Sequence, residues 1–224
     1  MEELKIFETQ DGSHSIFAEQ FGVSYHSKYG AIQETQHVFI DAALRFKAVI
    51  KKDIRILEMG LGTGLNAYMT YLEARKRNLN VYYAGVEAYP VTTEQWKQLN
   101  YENQLEVSEE EKGVFERLHT CEWNEPMIFN ENFTFLKLST RFEELLLKQE
   151  FDVIYYDTFA PNAQPELWEE KLFQKMYDSL LQDGILVTYC AKGAVKRTMK
   201  RVGFEVERLK GPPGKREMTR AIKR

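Results

Sequence analysis

The chain has little that would staple or anchor it. Two cysteines, Cys121 and Cys190, make neither a disulfide framework nor a metal-ligand pattern, so a reducing cytoplasm is the expected setting. Cys190 closes an apolar run and reads as a small buried hydrophobe rather than a nucleophile. No run of about 18 apolar residues occurs, which excludes a transmembrane helix. The acidic start Met1-Glu2-Glu3-Leu4-Lys5 lacks the apolar stretch of a signal peptide. The four histidines, His14, His26, His37 and His119, are scattered and read as structural or solvated, so no metal site is expected. Internal repeats, low-complexity segments and Pro/Gly/Ser-rich linkers are all missing, which argues against a second independent domain.

What is present is an ordinary globular composition, with enough chain in 224 residues to bury a core. Its charge is lopsided. From Ala191 onward there are 12 Lys and Arg against Glu205, Glu207 and Glu217, a net of +9, which leaves −13 on the first 190 residues of a chain whose total is −4. Such asymmetry fits either a nucleic-acid contact along one edge or a solvated C-terminus.

From residue 54 onward short apolar runs alternate with helical segments. Strands are expected at Ile54–Glu58, Val81–Glu87, Phe133–Leu138, Asp152–Asp157 and Ile185–Cys190. Helices are expected at Leu65–Arg77, Val91–Leu99, Phe142–Lys148, Glu166–Leu181 and Ala194–Val202. This rhythm implies a mainly parallel sheet with helices on both faces. The end departs from it: Phe204–Leu209 and Glu217–Ile222 are joined by Gly211-Pro212-Pro213-Gly214 with no helix between, which spells a hairpin and an antiparallel last strand. The expected architecture is therefore α/β, a seven-stranded Rossmann-like sheet of the class I methyltransferase kind, over residues 51–224. Residues 1–50 read as an extension packed on that core. In it, Ser15–Phe21 and Val23–His26 suggest a hairpin across Gly22. Gln33–Val49 suggests a helix with Val38, Phe39, Ala42 and Phe46 on one face.

Glu58-Met59-Gly60-Leu61-Gly62-Thr63-Gly64 lies between the first of these strands and its helix, where open α/β sheets bind ligands. Glycines let backbone approach a ligand and adopt positive φ. The third glycine comes one residue too early for the dinucleotide motif, and the spacing matches the ExGxGxG loop that holds adenosylmethionine. Glu58 would order the loop and attract the cofactor's cationic half. Glu87, ending the second strand, would accept hydrogen bonds from ribose hydroxyls, a placement NAD enzymes share. Asp157 ends the fourth strand at the edge where a methyl acceptor must lie, and can orient an amine and receive its proton. Phe159 reads equally as a stacking wall for a flat substrate or as ordinary core.

In order along the chain stand Ala18-Glu19-Gln20-Phe21, Tyr25 to Lys28, Glu34-Thr35 with Val38-Phe39, Gly62-Thr63-Gly64-Leu65-Asn66, Asp157-Thr158-Phe159-Ala160-Pro161, Asn162 to Trp168, Leu172-Phe173 and Gly214-Lys215-Arg216-Glu217-Met218. On these pieces the sequence resembles the methyltransferase domain of the bacterial bifunctional tRNA-modifying protein MnmC and its stand-alone relatives, sometimes called MnmD. The resemblance implies adenosylmethionine-dependent methylation of the aminomethyl group on carbon 5 of the tRNA wobble uridine, usually 2-thiolated. It implies that Glu58, Gly60, Gly62, Thr63, Gly64, Asn66 and Glu87 hold the cofactor and that Asp157 is the catalytic residue. Phe159, Pro161, Tyr25, Lys28, Lys215 and Arg216 would meet the substrate, with tRNA lying along the basic C-terminal edge. The chain stops before the flavin-dependent oxidase domain of bifunctional members, so no flavin is expected, and a separate protein would supply the aminomethyl-uridine. The family's Gly-Asp after the third strand, whose Asp touches adenine, is replaced here by Ser139-Thr140, whose hydroxyls would have to substitute.

Two other readings stay open. One is a methyl- or aminopropyltransferase acting on a small amine. The other is a tRNA-binding protein that keeps the fold without catalysis; the intact loop with Glu58, Glu87 and Asp157 weighs against it.

Overall fold

The computed structural model describes residues 5–224; the Met1-Glu2-Glu3-Leu4 start lies outside the described residues. Strands β1 (Lys5–Glu8), β2 (His14–Ala18) and β3 (Val23–Ser24) form a small antiparallel sheet, in order β1-β2-β3. The expected hairpin across Gly22 is present, with a 3₁₀ turn at Glu19–Phe21 and Gly22 in the left-handed conformation at φ 64°. This sheet is tied to the rest of the chain: Asn100 accepts from the backbone N–H of His14 at 2.8 Å and donates to the Gly12 carbonyl at 2.9 Å.

Residues 31–48 follow as one helical stretch, α-helical at its ends, α1 (Ala31–Thr35) and α2 (Phe46–Ala48), and π-wound over Gln36–Arg45. The wider π turn changes which residues share a face. Val38, Phe39, Ile40, Ala43 and Leu44 are buried, whereas Ala42 is half-buried and Phe46 is exposed. The 3.6-residue spacing that groups Ala42 and Phe46 with the core therefore misassigns Phe46, whereas Ala42 packs against the core from its edge. Phe46 is instead covered on its outer side by the Arg220 guanidinium, 3.6 Å from the ring centroid.

The remaining elements are β4 (Asp53–Met59), α3 (Leu65–Arg77), β5 (Asn80–Glu87), α4 (Thr93–Trp96), α5 (Tyr101–Gln104), α6 (Val114–Thr120), β6 (Met127–Asn130), β7 (Phe133–Ser139), β8 (Phe151–Tyr156), α7 (Glu170–Ser179), β9 (Leu180–Thr188), α8 (Gly193–Val202), β10 (Glu205–Lys210) and β11 (Glu217–Ile222). The large sheet runs β10-β11-β9-β8-β4-β5-β7-β6. Strands β9, β8, β4, β5 and β7 are parallel, and β11 lies antiparallel between β9 and β10. The seven expected strands are thus present, and β6 adds a short, bulged antiparallel edge that makes eight.

Parallel strands are covered on both faces and so carry near-continuous apolar runs. In β8 all six residues are buried, with Tyr155 in the core beneath residues 31–48 and α3, and Tyr156 in the opposite core with Phe173 and Trp168. The same alternation sends Ile56 and Glu58 of β4 to Tyr155's face. Helix α3 starts from Gly64 at φ 76° and stops at Asn78 at φ 52°, with Arg75, Lys76 and Arg77 in its last turn, where cations suit the carboxyl end of a helix.

Two expected helices differ. Residues 142–148 are irregular, because Phe142 and Leu145 turn inward and the Lys175 ammonium takes the carbonyls of Phe142 and Leu145 at 3.3 and 2.9 Å. The stretch 166–181 splits into a 3₁₀ turn at Pro165–Trp168, α7, and a strand already begun at Leu180. Helix α6 answers to none of the expected elements. Among the described residues no helix is long and apolar enough to cross a membrane.

Candidate active site

The carboxyl ends of β4, β5, β8 and β9 open into a cavity of about 630 Å³, a size suited to a small molecule or cofactor. The glycine loop forms its floor. Gly60 sits at φ 93°, and a Cβ there would stand 2.7 Å from the Asp157 carbonyl oxygen; only glycine lets the two strand ends approach so closely. The Asp157 N–H donates to Met59 O at 3.0 Å, and the N–H groups of Gly60 and Leu61 converge on Val86 O. Gly62, at φ 50°, lies under the Tyr25 ring. Its N–H donates to Glu87 Oε2 at 3.0 Å, while Tyr89 N–H donates to Glu87 Oε1 at 2.8 Å.

Asp157 is half-buried, its exposed part facing the cavity. Burial, reinforced by the nearby Glu34 carboxylate and opposed by the Asn66 hydrogen bond and Lys215, pushes its pKa up to about 7. Asn66 Nδ2 donates to Asp157 Oδ2 at 2.8 Å and to Glu58 Oε1 at 2.8 Å, and Asn66 Oδ1 accepts from the Thr35 hydroxyl at 2.8 Å. Glu58 Oε2 accepts from the Tyr83 hydroxyl at 2.7 Å. Fully buried, Glu58 has its pKa raised well above the usual carboxylate range by desolvation, against the pull of the Tyr83 and Asn66 bonds.

Aromatic rings frame the mouth. Phe159 packs against Phe21 at 5.0 Å and edge-on to Tyr25 at 5.2 Å between centroids. Opposite them, the Lys215 ammonium pairs with Glu34 and lies 4.0 Å over the Tyr189 ring, whose hydroxyl donates to Thr158 O. Glu34 is fixed in turn by the Ser27 N–H at 2.9 Å. Behind the loop, Thr63 is buried; its hydroxyl accepts from Tyr101 at 3.3 Å and lies 2.7 Å from His26 Nε2. His26, its pKa lowered to about 4 by burial, is held neutral. His119 reaches Thr63 O at 3.2 Å and stacks on Trp96.

Of the residues singled out from sequence, Tyr25, Gly60, Gly62, Thr63, Asn66, Glu87, Asp157, Phe159 and Lys215 line the cavity. Glu58 does not: strand alternation turns it beneath the loop, where it holds Asn66 and Tyr83 rather than facing a ligand. Gly64 is set back against His119, which a Cβ there would meet at 3.2 Å. Lys28 and Arg216 are exposed outside the cavity, and Pro161 stands in the turn beyond its wall. Ser139 and Thr140 also fall outside; Arg141, Phe142 and Tyr89 close that end. Glu34, Phe21 and Tyr189 line the cavity, and sequence reasoning assigns them no role. The usable signal for Tyr189 is its place at the carboxyl end of a parallel strand.

A Gly-rich loop after the first parallel strand, an acidic residue ending the second and a carboxylate after β8 define the class, and the chain belongs to the S-adenosyl-L-methionine-dependent methyltransferase family, whose model matches residues 110–224. More particularly, it is 30% identical over 218 residues to the tRNA 5-methylaminomethyl-2-thiouridine biosynthesis bifunctional protein MnmC of Marinomonas sp. (strain MWYL1), covering 89% of this chain and 31% of that one. The corresponding protein of Aromatoleum aromaticum is 29% identical over 225 residues, covering 95% and 34%. The chain thus spans about a third of the curated relatives it matches. Among solved structures, MNMC2 from Aquifex aeolicus superposes with a TM-score of 0.79 at 25% identity, covering 99% of this chain and 70% of that one. Spermidine synthase from Thermotoga maritima shares the fold, with a TM-score of 0.60 at 15% identity over 98% and 68% of the two chains.

Proposed function

We propose that this adenosylmethionine-dependent methyltransferase methylates the amine of 5-aminomethyl-(2-thio)uridine at the wobble position of tRNA, giving the 5-methylaminomethyl product. The observation that carries the reading is Asp157, a carboxylate facing the cavity beside an aromatic wall, with its proton affinity brought to neutrality. The MnmC names of the relatives supply the substrate class.

The cavity fits the cofactor. Glu87 spends one lone pair of each oxygen on the Gly62 and Tyr89 N–H groups, and a carboxylate has about four acceptor sites, so two remain for ribose hydroxyls. Gly60 and Gly62 complete the cofactor's share of the lining, whereas Asn66 has its amide nitrogen and oxygen engaged by Glu58, Asp157 and Thr35. Bound there, adenosylmethionine supplies a methyl group made electrophilic by its sulfonium. The chain's own task is to present a neutral amine in line with that methyl, which is largely a matter of positioning. Asp157 pairs with the acceptor ammonium, takes its proton and leaves the nitrogen lone pair free for attack. Phe159, Tyr25 and Phe21 offer a face against which a flat base can stack while excluding water. In this reading the chemistry calls on neither flavin nor metal, and the aminomethyl-uridine comes from a separate protein. Residues 1–50 act as an extension of the one catalytic domain, contributing Phe21, Tyr25 and Glu34 to the pocket.

The tRNA would lie along the basic edge of α8 and β10, where Arg197, Lys200, Arg208 and Lys210 are exposed and make no ion pair among the described residues. Lys196 is buried against Glu217 and Lys215 is paired with Glu34; both belong to the fold and the pocket rather than to that surface. The test is incubation with methyl-labelled adenosylmethionine and tRNA from cells lacking the methyltransferase, followed by nucleoside mass analysis. A gain of one methyl on aminomethyl-uridine is expected. No gain on tRNA defeats the proposal, and labelling of free polyamines instead would move it to the small-amine reading.

A further inference from the structure

We propose that Asn66 is a positioning residue for Asp157, its amide orientation set by the Glu58 and Asp157 carboxyl groups and braced at its oxygen by Thr35, so that the start of the 31–48 helical stretch bears on the carboxylate to which the acceptor amine is presented. The proposal rests on the catalytic role given to Asp157 above.

The geometry leaves Asn66 a single orientation. Its Nδ2 lies 2.8 Å from both Glu58 Oε1 and Asp157 Oδ2, each an acceptor, while its Oδ1 lies 2.8 Å from a hydroxyl donor on Thr35. A flipped amide would set its oxygen against two carboxyl groups, so these fix the orientation and the Thr35 hydroxyl, which can donate or accept, donates to Oδ1 within it. Both N–H bonds of the amide are used, and Asn66, Thr35 and Glu58 are all buried, at 3%, 1% and 0% exposure, so water cannot stand in. Glu58 is anchored from behind by Tyr83. The chain Tyr83–Glu58–Asn66–Asp157 therefore runs from the core to the cavity, with Thr35 as its side support. This explains why Glu58, although it ends the strand before the glycine loop, never reaches the cavity: its carboxylate is the fixed end against which Asn66 is aimed.

Titratable groups face Asp157 from the neighbouring elements: Glu34 on α1, Lys215 in the β10–β11 turn, Glu58 on β4 and Tyr189 after β9, with Glu87 on β5 lining the same cavity. Of these, the Glu34 carboxylate disfavours its ionised form and the Lys215 ammonium favours it. Among the described residues the Asn66 amide is the side-chain donor that touches Asp157 directly. Removing it withdraws stabilisation from the carboxylate, so the pKa of Asp157 rises and the ionised fraction near neutrality falls.

The experiment follows single-turnover methyl transfer to aminomethyl-uridine tRNA against pH in wild type, Asn66→Leu, Thr35→Val, Thr35→Ser and Asp157→Ala, with calorimetric cofactor titration of each. In Asn66→Leu the acid limb of the rate is expected to move up by about one unit, with turnover near pH 7 falling about fivefold and recovering at higher pH. Cofactor affinity is expected to stay at the wild-type value. Thr35→Val, on a different element, should move the limb in the same sense by less, and Thr35→Ser, which keeps the hydroxyl, should not move it. Should Asn66→Leu fail to fold, the Thr35 pair carries the test alone. If Asp157→Ala abolishes turnover while the Asn66 and Thr35 variants leave the acid limb in place, the positioning proposal is overturned. A loss of cofactor affinity without a shifted limb overturns it equally by reassigning Asn66 to the cofactor. If Asp157→Ala itself turns over normally, it is the role of Asp157 that fails.

Discussion

Replacing Gly60 by alanine puts two separable stresses on the loop. The residue holds φ at 93°, which a side chain adopts at a cost of roughly 1–3 kcal/mol. The new Cβ would also stand 2.7 Å from the Asp157 carbonyl oxygen and 3.3 Å from its carbon, both backbone atoms that cannot swing aside. Forcing them apart costs roughly another 1–3 kcal/mol, as in other overpacked sites. The expected loss is then about 2–6 kcal/mol, a large part of the roughly 5–15 kcal/mol that holds a domain folded. Gly113 supplies the control: it has φ 76° with nothing within 4 Å of its Cβ position, so Gly113→Ala carries the conformational strain alone. Urea unfolding of the two variants isolates the clash, Gly60→Ala being less stable than Gly113→Ala by about 1–3 kcal/mol. Because the displaced backbone bears Asp157, Gly60→Ala should also lose turnover at temperatures where it remains folded. Equal destabilisation by the two substitutions would refute the close approach of the β4 and β8 ends.

Other outcomes follow from the same structure. His26 is kept neutral with a pKa near 4, against its ordinary 6.5. The unfolded chain therefore binds a proton that the folded one refuses, and stability falls as pH drops from about 6.5 towards 4, by about 2 kcal/mol at pH 5 from this residue. His119, with its pKa lowered to about 3 by burial and Lys137, adds to the same trend; acid unfolding midpoints of His26→Gln and wild type check it, and a flat profile between pH 7 and 5 would contradict it. Glu87→Ala should weaken adenosylmethionine binding in calorimetry about tenfold or more, since it removes both the ribose acceptor and the cap on the Gly62 N–H; unchanged affinity would remove Glu87 from the cofactor site. Neutralising Arg197, Lys200, Arg208 and Lys210 should weaken tRNA binding and reduce the slope of log affinity against log salt by about 0.9 for each phosphate that no longer meets a cation; an unchanged slope would place the tRNA elsewhere.

Much of this fold is written in short-range pattern. The parallel strands β4, β5, β8 and β9 carry buried stretches that face both layers and so announce themselves as apolar runs, and Gly211-Pro212-Pro213-Gly214 forces the closing hairpin. The elements that depart from pattern are those decided by tertiary contacts. Residues 142–148 have helical composition, yet Lys175 takes their carbonyls and two of their apolar side chains turn inward. The π winding of Gln36–Arg45 cannot be read from a 3.6-residue period, which therefore groups Phe46 with a core it does not enter. The site divides in the same way. Glycines, Glu87 and Asp157 sit at strand ends, where topology alone brings them together. Glu34, Thr35 and Lys215 come from opposite ends of the chain, and their convergence on Asp157 depends on how residues 31–48 cross the sheet. Glu58 shows the subtler limit: its position in the motif is plain, but its direction follows the alternation of β4 and points under the loop.

The most direct test of the catalytic reading compares wild type with Asp157→Asn on aminomethyl-uridine tRNA under saturating cofactor, with cofactor affinity measured in parallel. The substitution keeps the size and the hydrogen-bonding reach of the side chain but removes its ability to take a proton. Turnover is expected to fall by about a hundredfold or more while adenosylmethionine binds with unchanged affinity. Wild-type turnover in Asp157→Asn, or a loss of cofactor binding as deep as the loss of turnover, would contradict the placement of Asp157 as the acceptor of the amine proton.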